Sequence, residues 1–461
     1  MVISPLPHEQ DLVALPNPQP LKGTLSVPGD KSLGHRAWMA TLLRPGTYTL
    51  YNVPNNADVT ATRECMTALG LDVTPVNETD WQVTSPTALG TPAHPLDCKN
   101  AGTAMRLLAG LLSGLNIPAT LVGDVSLSSR PMDRILTPLQ RMGANITGQA
   151  HPSKPNVTVA PLQIHPQIAP LTGISYTLPM PSAQVKSAIL MAGLFAQGTT
   201  TVMEPIPSRD HTERLFQSLG LPLTTEGSTI TVQGGWQRPA LEAPLALTVP
   251  GDPSSAAFIL GAAALIPGSI ITLENVLLNP TRLGWVKVFR QWGVPIKIQE
   301  TGTSMGETLG SLSLSWDKES STDRLKGDVT LTDSDIPALI DELPLLAIVA
   351  QRVQGTFTVG GAEELRHKES DRIALLQSAL RAVGGNMTPL ADGFIIEGDP
   401  QRMFFAPTAA ISTGHDHRIA LSMRVLNTAA DPNIYWPLDN TECMAVSFPK
   451  FDTVLAQLQQ P

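Results

Sequence analysis

A long internal repeat is the feature that most restricts how this chain can fold. The segment VPGDKSLGHRAWMATLLRPGTYTLYNV from Val27 is similar to VPGDPSSAAFILGAAALIPGSIITLENV from Val249. Both contain an apolar helix, a glycine turn and a strand rich in Thr and Val. Shorter or looser copies begin at Ala104, Ala188, Leu343 and His417. Copies at such spacing indicate related supersecondary units, here six of them.

The repeat predicts an α/β fold in two domains of three units each. The helices are apolar nearly all round, which is typical of buried helices. Residues suited to capping precede them: Asp30 with Ser32, Asn100 with Thr103, Ser182, and Asp252 before Pro253. The two VPGD segments mark where the chain passes between the domains. We therefore expect hinges near 27–31 and 248–252, a discontinuous domain of residues 1–29 plus 250–461, and an inserted domain of residues 30–249.

Composition restricts the partners. The chain has 461 residues and a formal net charge of −9, which disfavours nucleic acid and anionic membranes as partners. No apolar run is long enough to span a bilayer, and no signal pattern opens the chain. The cysteines Cys65, Cys98 and Cys443 form no CxxC pair and are interpreted as buried thiols of a reducing compartment. We expect a cytoplasmic monomer whose first 20 residues, rich in proline, form a weakly ordered leader.

Polar residues cluster where three of the predicted helices begin. They are Lys31, Ser32 and Arg36 on the first, Asn100, Gly102, Thr103 and Arg106 on the second, and Ser182, Gln184 and Lys186 on the third. Helix amino termini carry unpaired N–H groups and attract phosphates and carboxylates. A lysine at such a terminus opposes the helix dipole. Lys31 therefore needs an anion, and a solvated surface lysine is the alternative.

Further cations stand in turns or at caps. They are Arg130 and Arg134, Arg209, Lys368 and Arg372, and Arg418. Arginine suits bidentate capture of carboxylate or phosphate, so several together predict a ligand with more than one anionic group. Ordinary surface ion pairs are the alternative for each one. For Lys368 that alternative is a helical i,i+4 pair with Glu364.

Three acids are candidates for proton transfer. Asp341 and Glu342 interrupt an apolar stretch, where a carboxylate is costly unless paired or chemically used. Next to substrate anions we expect such a group to have a raised pKa, as proton transfer near neutral pH requires. Glu369, beside Lys368, is the third acid, and a solvated helix residue is the alternative. We predict no metal, since His415 and His417 lack a third ligand, and no nucleotide cofactor, since no Walker or GxGxxG motif occurs.

Nine motifs in order resemble the 5-enolpyruvylshikimate-3-phosphate synthase family. They are VPGDKSxxHRA, NAGTAMR, SSRPM, PSAQVKSAILMAGL, SRDHTERL, VPGDPSSAAF, LIDELPLLA, EELRHKESDRI and HDHRIALS, and they run from about Leu21 to Phe451. The resemblance implies the enolpyruvyl transferase fold, with three βαβαββ units in each domain, buried parallel helices and an active site in the interdomain cleft. It also implies transfer of an enolpyruvyl group from phosphoenolpyruvate to shikimate 3-phosphate.

The same resemblance implies roles for individual residues. Those expected to hold shikimate 3-phosphate are Lys31, Ser32, Arg36, Ser182, Ala183, Gln184, Arg209, Asp341 and Lys368. Those expected to hold phosphoenolpyruvate are Lys31, Asn100, Gly102, Thr103, Arg130, Gln184, Arg372 and Arg418. Asp341 is expected to take the hydroxyl proton, and Glu369, helped by Lys31, to protonate the methylene carbon.

Some positions separate branches of that family. SAQVKSA and IDELP are similar to the branch that tolerates the inhibitor glyphosate, whereas Gly102 is typical of the sensitive branch. Gly34 and Leu107 depart from the usual pattern, and Leu107 with its helix would then set the glyphosate response. A related transferase acting on UDP-N-acetylglucosamine uses a loop cysteine, and no cysteine here has that context. An inactive metabolite-binding relative is the remaining alternative, although Lys31, Asp341 and Glu369 are all present.

Overall fold

The structure is a computed structural model that describes residues 18–316, 325–430 and 436–459. Most of the predicted leader, residues 1–17, lies outside the described residues. Twelve α-helices lie within them: α1 Lys31–Ala40, α2 Ala57–Ala68, α3 Gly102–Leu115, α4 Asp133–Arg141, α5 Ala183–Gly193, α6 His211–Ser218, α7 Pro253–Leu265, α8 Gly284–Gln291, α9 Leu343–Ala350, α10 Arg372–Ala382, α11 His417–Ala430 and α12 Phe451–Leu458.

Twenty strands in the described residues form five sheets of four strands each. The first ten are β1 Lys22–Ser26, β2 Gly46–Tyr51, β3 Asp72–Pro75, β4 Trp81–Ser85, β5 Leu96–Asp97, β6 Ala119–Val122, β7 Ile146–His151, β8 Lys154–Ile164, β9 Ser175–Thr177 and β10 Thr199–Met203. The others are β11 Leu223–Glu226, β12 Thr229–Gln233, β13 Leu245–Thr248, β14 Ile270–Leu277, β15 Ile296–Ser304, β16 Glu307–Ser315, β17 Val329–Leu331, β18 Gly355–Val359, β19 Thr388–Pro389 and β20 Phe394–Gly398.

All five sheets have one plan, as the repeat predicts. The strand orders are β13-β2-β4-β3, β5-β6-β8-β7, β9-β10-β12-β11, β1-β14-β16-β15 and β17-β18-β20-β19. In each sheet the first two strands are parallel, and the remaining pairs are antiparallel. The sixth unit, around α11 and α12, keeps in the described residues only a parallel bridge between Ile411 and Leu438.

Two strands are exchanged between the sets of sheets at the VPGD segments. Strand β1 precedes α1 in the chain but pairs with β14, whereas β13 returns to pair with β2. The two connecting segments also contact each other. The Asp30 amide donates to the Pro250 carbonyl at 2.7 Å, and the Asp252 amide donates to the Pro28 carbonyl at 2.8 Å. The chain thus crosses between the two sets of units twice, at one place.

Buried apolar side chains form two clusters. One is built from residues 33–249 with Leu277 and Met305, and the other from Leu21, Val27 and residues 256–458. The inner helices α3 and α5 approach closely because Gly110 has no side chain. A Cβ there would lie 2.2 Å from the Ala188 carbonyl oxygen. The other inner helix of this group is α1, and the second group has α7, α9 and α11.

Most of the predicted caps are present. The side chains of Asp30, Ser182 and Asp252 accept hydrogen bonds from the first turns of α1, α5 and α7. The predicted cap at Asn100 is wrong, because Ala101 occupies the cap position of α3 without a side-chain bond. The amide of Asn100 bonds to Asp124 at 2.8 Å instead. The amide oxygen of Asn100 can therefore accept a hydrogen bond from a neighbouring cation.

Candidate active site

The beginnings of α1, α3 and α5 contact one another through polar side chains. Gln184, at the start of α5, donates to the Thr103 hydroxyl on α3 at 2.9 Å. Arg106 of α3 donates to the Gln184 amide oxygen at 2.6 Å. Arg36 of α1 donates to the Ser187 hydroxyl on α5 at 2.8 Å. The three polar starts named from the sequence therefore form one site.

Asp341, just before α9, joins this site to the second group of units. Its Oδ2 accepts from the Arg209 guanidinium at 2.6 Å, and its Oδ1 lies 3.7 Å from Arg372. Arg418, at the start of α11, lies 4.0 Å from Asp341 Oδ2. Arg209 belongs to the segment between β10 and α6. One carboxylate therefore gathers three of the cations predicted to hold substrate, from three separate units.

Asp341 and Glu342 have pKa values shifted in opposite directions in this structure. Burial alone would raise the pKa of Asp341, but Arg209, Arg418, Lys368 and Arg372 lower it well below its usual range. Burial raises the pKa of Glu342, and the nearby Asp341 charge adds to that rise, although Arg418 opposes it. Asp341 is therefore an ionised carboxylate at neutral pH and can accept a proton.

Glu369 lies in the same positive field. Its Oε2 accepts from Arg372 at 2.6 Å. Partial burial would raise the pKa of Glu369, but Arg372, Lys31 and Arg130 lower it. Glu369 lies in the bend before α10 with 31% of its side chain exposed, and its ion pair with Arg372 distinguishes it from a freely solvated acid. Lys31 and Arg130 belong to the other group of units, so charges from both groups act on Glu369.

Lys31 has an acidic partner that sequence reasoning missed. Its Nζ lies 3.1 Å from Asp58 Oδ2 in the first turn of α2, and 23% of the Lys31 side chain is exposed. Lys31 is thus neither a solvated surface lysine nor fully enclosed. Asp58 supplies the anion that a lysine at a helix amino terminus needs. Its position two residues after the cap residue Asn56 was a signal that the sequence contained.

A second cationic group surrounds the start of α3. Arg130 donates to the Asn100 amide oxygen at 2.5 Å and to the Ser126 hydroxyl at 3.2 Å. A Cβ added to Gly102 would lie 3.1 Å from an Arg106 guanidinium nitrogen and 3.4 Å from one of Arg130. Burial lowers the pKa of Arg106 to about 10, and Arg130 and Arg134 add repulsion. An anion there would relieve that repulsion.

The remaining predicted residues occupy different environments. Ser32 is half-buried, and its carbonyl accepts from Arg36 at 3.0 Å. Ser182 and Ala183 are half-buried at the amino terminus of α5, where the Ser182 hydroxyl accepts from the Val185 amide. Lys368 pairs with Glu364 at 3.0 Å, the i,i+4 contact expected from the sequence, although residues Glu363–His367 form a 3₁₀ helix. Lys368 nevertheless contributes to the field on Asp341.

Lys186 does not face a ligand site. The sequence grouped it with the anion-attracting residues of α5, but its Nζ lies 2.5 Å from Glu204 and 2.6 Å from Glu213, with 1% of the side chain exposed. Arg106 was noted only as a polar residue at a helix start, although it contacts Gln184. The acid Asp416, which bonds Arg372 at 2.8 Å, was also missed. Its place in GHDHR, between two histidines, was the available signal.

One group of possible metal ligands occurs in the part of the chain that the structure describes. Ligand atoms of Asp210, His211 and Glu307 lie within 4.8 Å of one another. Asn279 donates to both acids at 2.6 and 2.8 Å, and Arg214 donates to the second Asp210 oxygen at 2.7 Å. These donors already satisfy the carboxylates, so we assign no metal to this group.

The fold and the cation-rich site together define a two-domain α/β enolpyruvyl transferase. The family model described as EPSP synthase (3-phosphoshikimate 1-carboxyvinyltransferase) matches residues 15–455. The chain belongs to the EPSP synthase family. None of the helices within residues 18–316, 325–430 and 436–459 combines the length and the apolar character that a bilayer crossing requires.

Relatives and solved structures agree over nearly the whole chain. The chain is 42% identical over 449 residues to the 3-phosphoshikimate 1-carboxyvinyltransferase of Akkermansia muciniphila, covering 95% of this chain and 97% of that protein. It is 40% identical over 451 residues to the enzyme of that name from Sphingopyxis alaskensis, covering 96% and 97%. The structure of EPSP synthase from Acinetobacter baumannii matches with a TM-score of 0.83 at 36% identity, covering 96% and 97%.

Proposed function

We propose that this chain transfers the enolpyruvyl group of phosphoenolpyruvate to the 5-hydroxyl of shikimate 3-phosphate and releases phosphate. The observation that carries the proposal is the position of Asp341 among Arg209, Arg372 and Arg418. Two anionic substrates repel each other, so a site that binds both needs cations from several directions. An acid among those cations is then in place to accept a proton from a bound hydroxyl.

The proposed shikimate 3-phosphate site uses residues from both groups of units. They are Lys31, Ser32, Arg36, Ser182, Ala183, Gln184, Arg209, Asp341 and Lys368. The proposed phosphoenolpyruvate site lies beside it and uses Lys31, Asn100, Gly102, Thr103, Arg130, Gln184, Arg372 and Arg418. The contact between Gln184 and Thr103 supports a shared boundary between the two sites. The guanidinium groups suit planar, bidentate binding of carboxylate and phosphate oxygens.

The proposed reaction is an addition followed by an elimination. Asp341 removes the proton from the 5-hydroxyl, whose oxygen attacks the second carbon of phosphoenolpyruvate. Glu369, with Lys31, delivers a proton to the methylene carbon, which gives a tetrahedral intermediate that still carries phosphate. The Glu369 carboxylate then takes a proton back from the new methyl group as phosphate departs, which restores the enol double bond, and the proton held by Asp341 leaves with the phosphate. Fixed cations stabilise the charge that develops on the leaving phosphate.

The negative charges of bound substrates would raise the pKa values of Glu369 and Asp341, as these steps require. The pKa of Glu369 is lowered by Arg372, Lys31 and Arg130 against the effect of its partial burial. A carboxylate and a phosphate bound to those cations would neutralise them and raise the pKa of Glu369. The acid can then carry the proton that it must deliver. The same neutralisation makes Asp341 a stronger base than in this structure.

We also propose that residues 1–29 plus 250–461 and residues 30–249 are two domains that close on the substrates, with hinges near 27–31 and 248–252. The strand exchange of β1 and β13 supports these boundaries. We further propose a monomer, which light scattering would test, and a cytoplasmic location, which suits three cysteines without a disulfide. Fractionation with an antibody against the chain tests the location.

Membership of the glyphosate-tolerant branch is a separate proposal. It is supported by SAQVKSA and IDELP, whereas Gly102 is typical of the sensitive branch. Leu107 is fully buried in α3 and can act only through the packing of that helix. Inhibition of the wild-type enzyme by glyphosate, measured at several phosphoenolpyruvate concentrations, tests this proposal without any variant.

A phosphate-release assay tests the main proposal. Purified protein with shikimate 3-phosphate and phosphoenolpyruvate should release phosphate, and mass spectrometry should show the enolpyruvyl ether. UDP-N-acetylglucosamine, the acceptor of the related transferase, should release none. Absence of phosphate with shikimate 3-phosphate would refute the proposal. Release with the nucleotide sugar alone would instead place the chain with the other transferase.

A further inference from the structure

Lys186 lies at the centre of a buried ionic cluster that the proposed reaction does not use. Its Nζ is 2.5 Å from Glu204 Oε2 and 2.6 Å from Glu213 Oε1, and none of the three side chains is more than 6% exposed. Burial of a cation with two acids is costly, and an apolar side chain of similar size avoids that cost. Lys186 cannot contact a substrate, because its ammonium group is enclosed. Its function must therefore be to fix Glu204 and Glu213, and through them the residues that pack beside these two acids.

Glu204 connects Lys186 to the segment that carries Arg209. The second oxygen of Glu204 accepts a hydrogen bond from the Ser208 hydroxyl. Ser208 directly precedes Arg209, which donates to Asp341 at 2.6 Å. Ser208 is buried, whereas 20% of the Arg209 side chain is exposed. The path from Lys186 through Glu204 and Ser208 thus fixes the backbone from which Arg209 extends.

Glu213 connects Lys186 to the residues that Arg36 contacts. Glu213 follows Thr212 on α6, and Lys186 precedes Ser187 on α5. The Arg36 guanidinium donates to the Thr212 hydroxyl and to the Ser187 hydroxyl, each at 2.8 Å. The ion pair between Lys186 and Glu213 therefore joins α5 to α6 one residue away from both contacts of Arg36. Burial lowers the pKa of Arg36 to about 10, and the Glu213 charge opposes that change.

We propose that Lys186 is a positioning residue for shikimate 3-phosphate: through Glu204 and Glu213 it sets the positions of Arg209 and Arg36. This inference rests on the proposed function, which assigns both arginines to that substrate. The cluster reaches no residue assigned to phosphoenolpyruvate alone. Loss of the cluster should therefore weaken one substrate selectively, whereas a general loss of structure would weaken both.

The test compares Lys186→Met and Ser208→Ala with the wild-type enzyme. Calorimetry measures binding of shikimate 3-phosphate alone, and the phosphate-release assay gives KM for each substrate. For Lys186→Met we expect binding of shikimate 3-phosphate and its KM to weaken by about tenfold or more, as loss of a hydrogen-bonded charge predicts. The KM for phosphoenolpyruvate should stay within about threefold. Ser208→Ala should also raise KM for shikimate 3-phosphate and leave KM for phosphoenolpyruvate unchanged, but the increase should be smaller.

Ser208→Ala keeps the inference testable if Lys186→Met fails to fold, because it leaves no buried charge unpaired. Its control is Ser412→Ala, which removes an exposed hydroxyl that also donates to a carboxylate, that of Asp439 at 3.0 Å. Ser412→Ala should change neither KM. Wild-type binding of shikimate 3-phosphate by the folded variants, or equal losses for both substrates, would overturn the inference. An inactive wild-type enzyme would instead refute the proposed function.

Discussion

Asp30 and Asp252, the last residues of the two VPGD segments, bind the same guanidinium group. Arg282 donates to Asp30 Oδ2 at 2.5 Å and to Asp252 Oδ1 at 2.9 Å, and all three side chains are buried. Each aspartate also caps the helix that follows it, α1 or α7. The repeated motif thus places two acids at the crossing, where one arginine pairs with both. Lys31 follows one of these acids directly.

Removal of Arg282 should strongly destabilise the fold. In Arg282→Met both aspartates remain buried without their cation, and breaking a buried pair typically costs about 3–5 kcal/mol. Urea unfolding at pH 7, followed by tryptophan fluorescence, should show a loss of that size in the free energy of unfolding. Lys450→Met, which breaks an exposed pair with Glu78, is the control and should leave the unfolding midpoint unchanged. Equal effects of the two substitutions would contradict this prediction.

Removal of the proposed proton donor should abolish turnover and preserve the fold. Glu369→Gln keeps the shape of the side chain and its contact with Arg372 but cannot carry the proton. Loss of general acid catalysis lowers kcat by about 100-fold to 10,000-fold. Binding of shikimate 3-phosphate, measured by calorimetry, should persist, because Glu369 is not assigned to that substrate. Lys31→Met should lose both turnover and binding, and full turnover by either variant would refute the assigned roles.

A methyl group at Gly102 should distinguish phosphoenolpyruvate from the longer inhibitor glyphosate. The added Cβ would lie 3.1 Å from Arg106, so the guanidinium must shift by a few tenths of an ångström. Overpacking costs about 1–3 kcal/mol, so glyphosate inhibition should weaken by about 5-fold to 150-fold while KM for phosphoenolpyruvate changes less. Gly90→Ala is the control, because nothing lies within 4 Å of a Cβ there. Equal changes in KM and inhibition would contradict this prediction.

Much of the fold was predictable because each copy of the repeat contains short local signals for helix starts and turns. Asp252 before Pro253 marks a helix start, and Gly198 and Gly268 adopt positive φ where a helix gives way to a strand. Such signals depend on backbone geometry, which neighbouring residues decide. The same signals placed Asn100 wrongly as a cap, because its amide is taken by Asp124 and Arg130.

The partners of the charged residues were not predictable in the same way. Asp58 lies 27 positions from Lys31, and Arg282 lies 252 positions from Asp30. Such pairs depend on how helices and units pack together, so a local pattern can mark one member of the pair but not its partner. The direction of the Asp341 pKa also needed the structure, because burial raises it and four neighbouring cations lower it. The sequence indicates that Asp341 is buried, but it does not show which cations lie beside this carboxylate.

Stability should fall as the pH is lowered from neutral, because two histidines are buried without charge. Burial lowers the pKa of His35 and of His417 from 6.5 to about 3. Between those values the unfolded chain binds protons that the folded chain excludes, so stability is greatest above pH 6.5 and is lost toward pH 3. The expected slope is about 1.4 kcal/mol per pH unit for each histidine. Urea unfolding at pH 7, 6 and 5 should show that His417→Gln lowers the slope by one such increment, and an unchanged slope would show that His417 takes up its proton in the folded state.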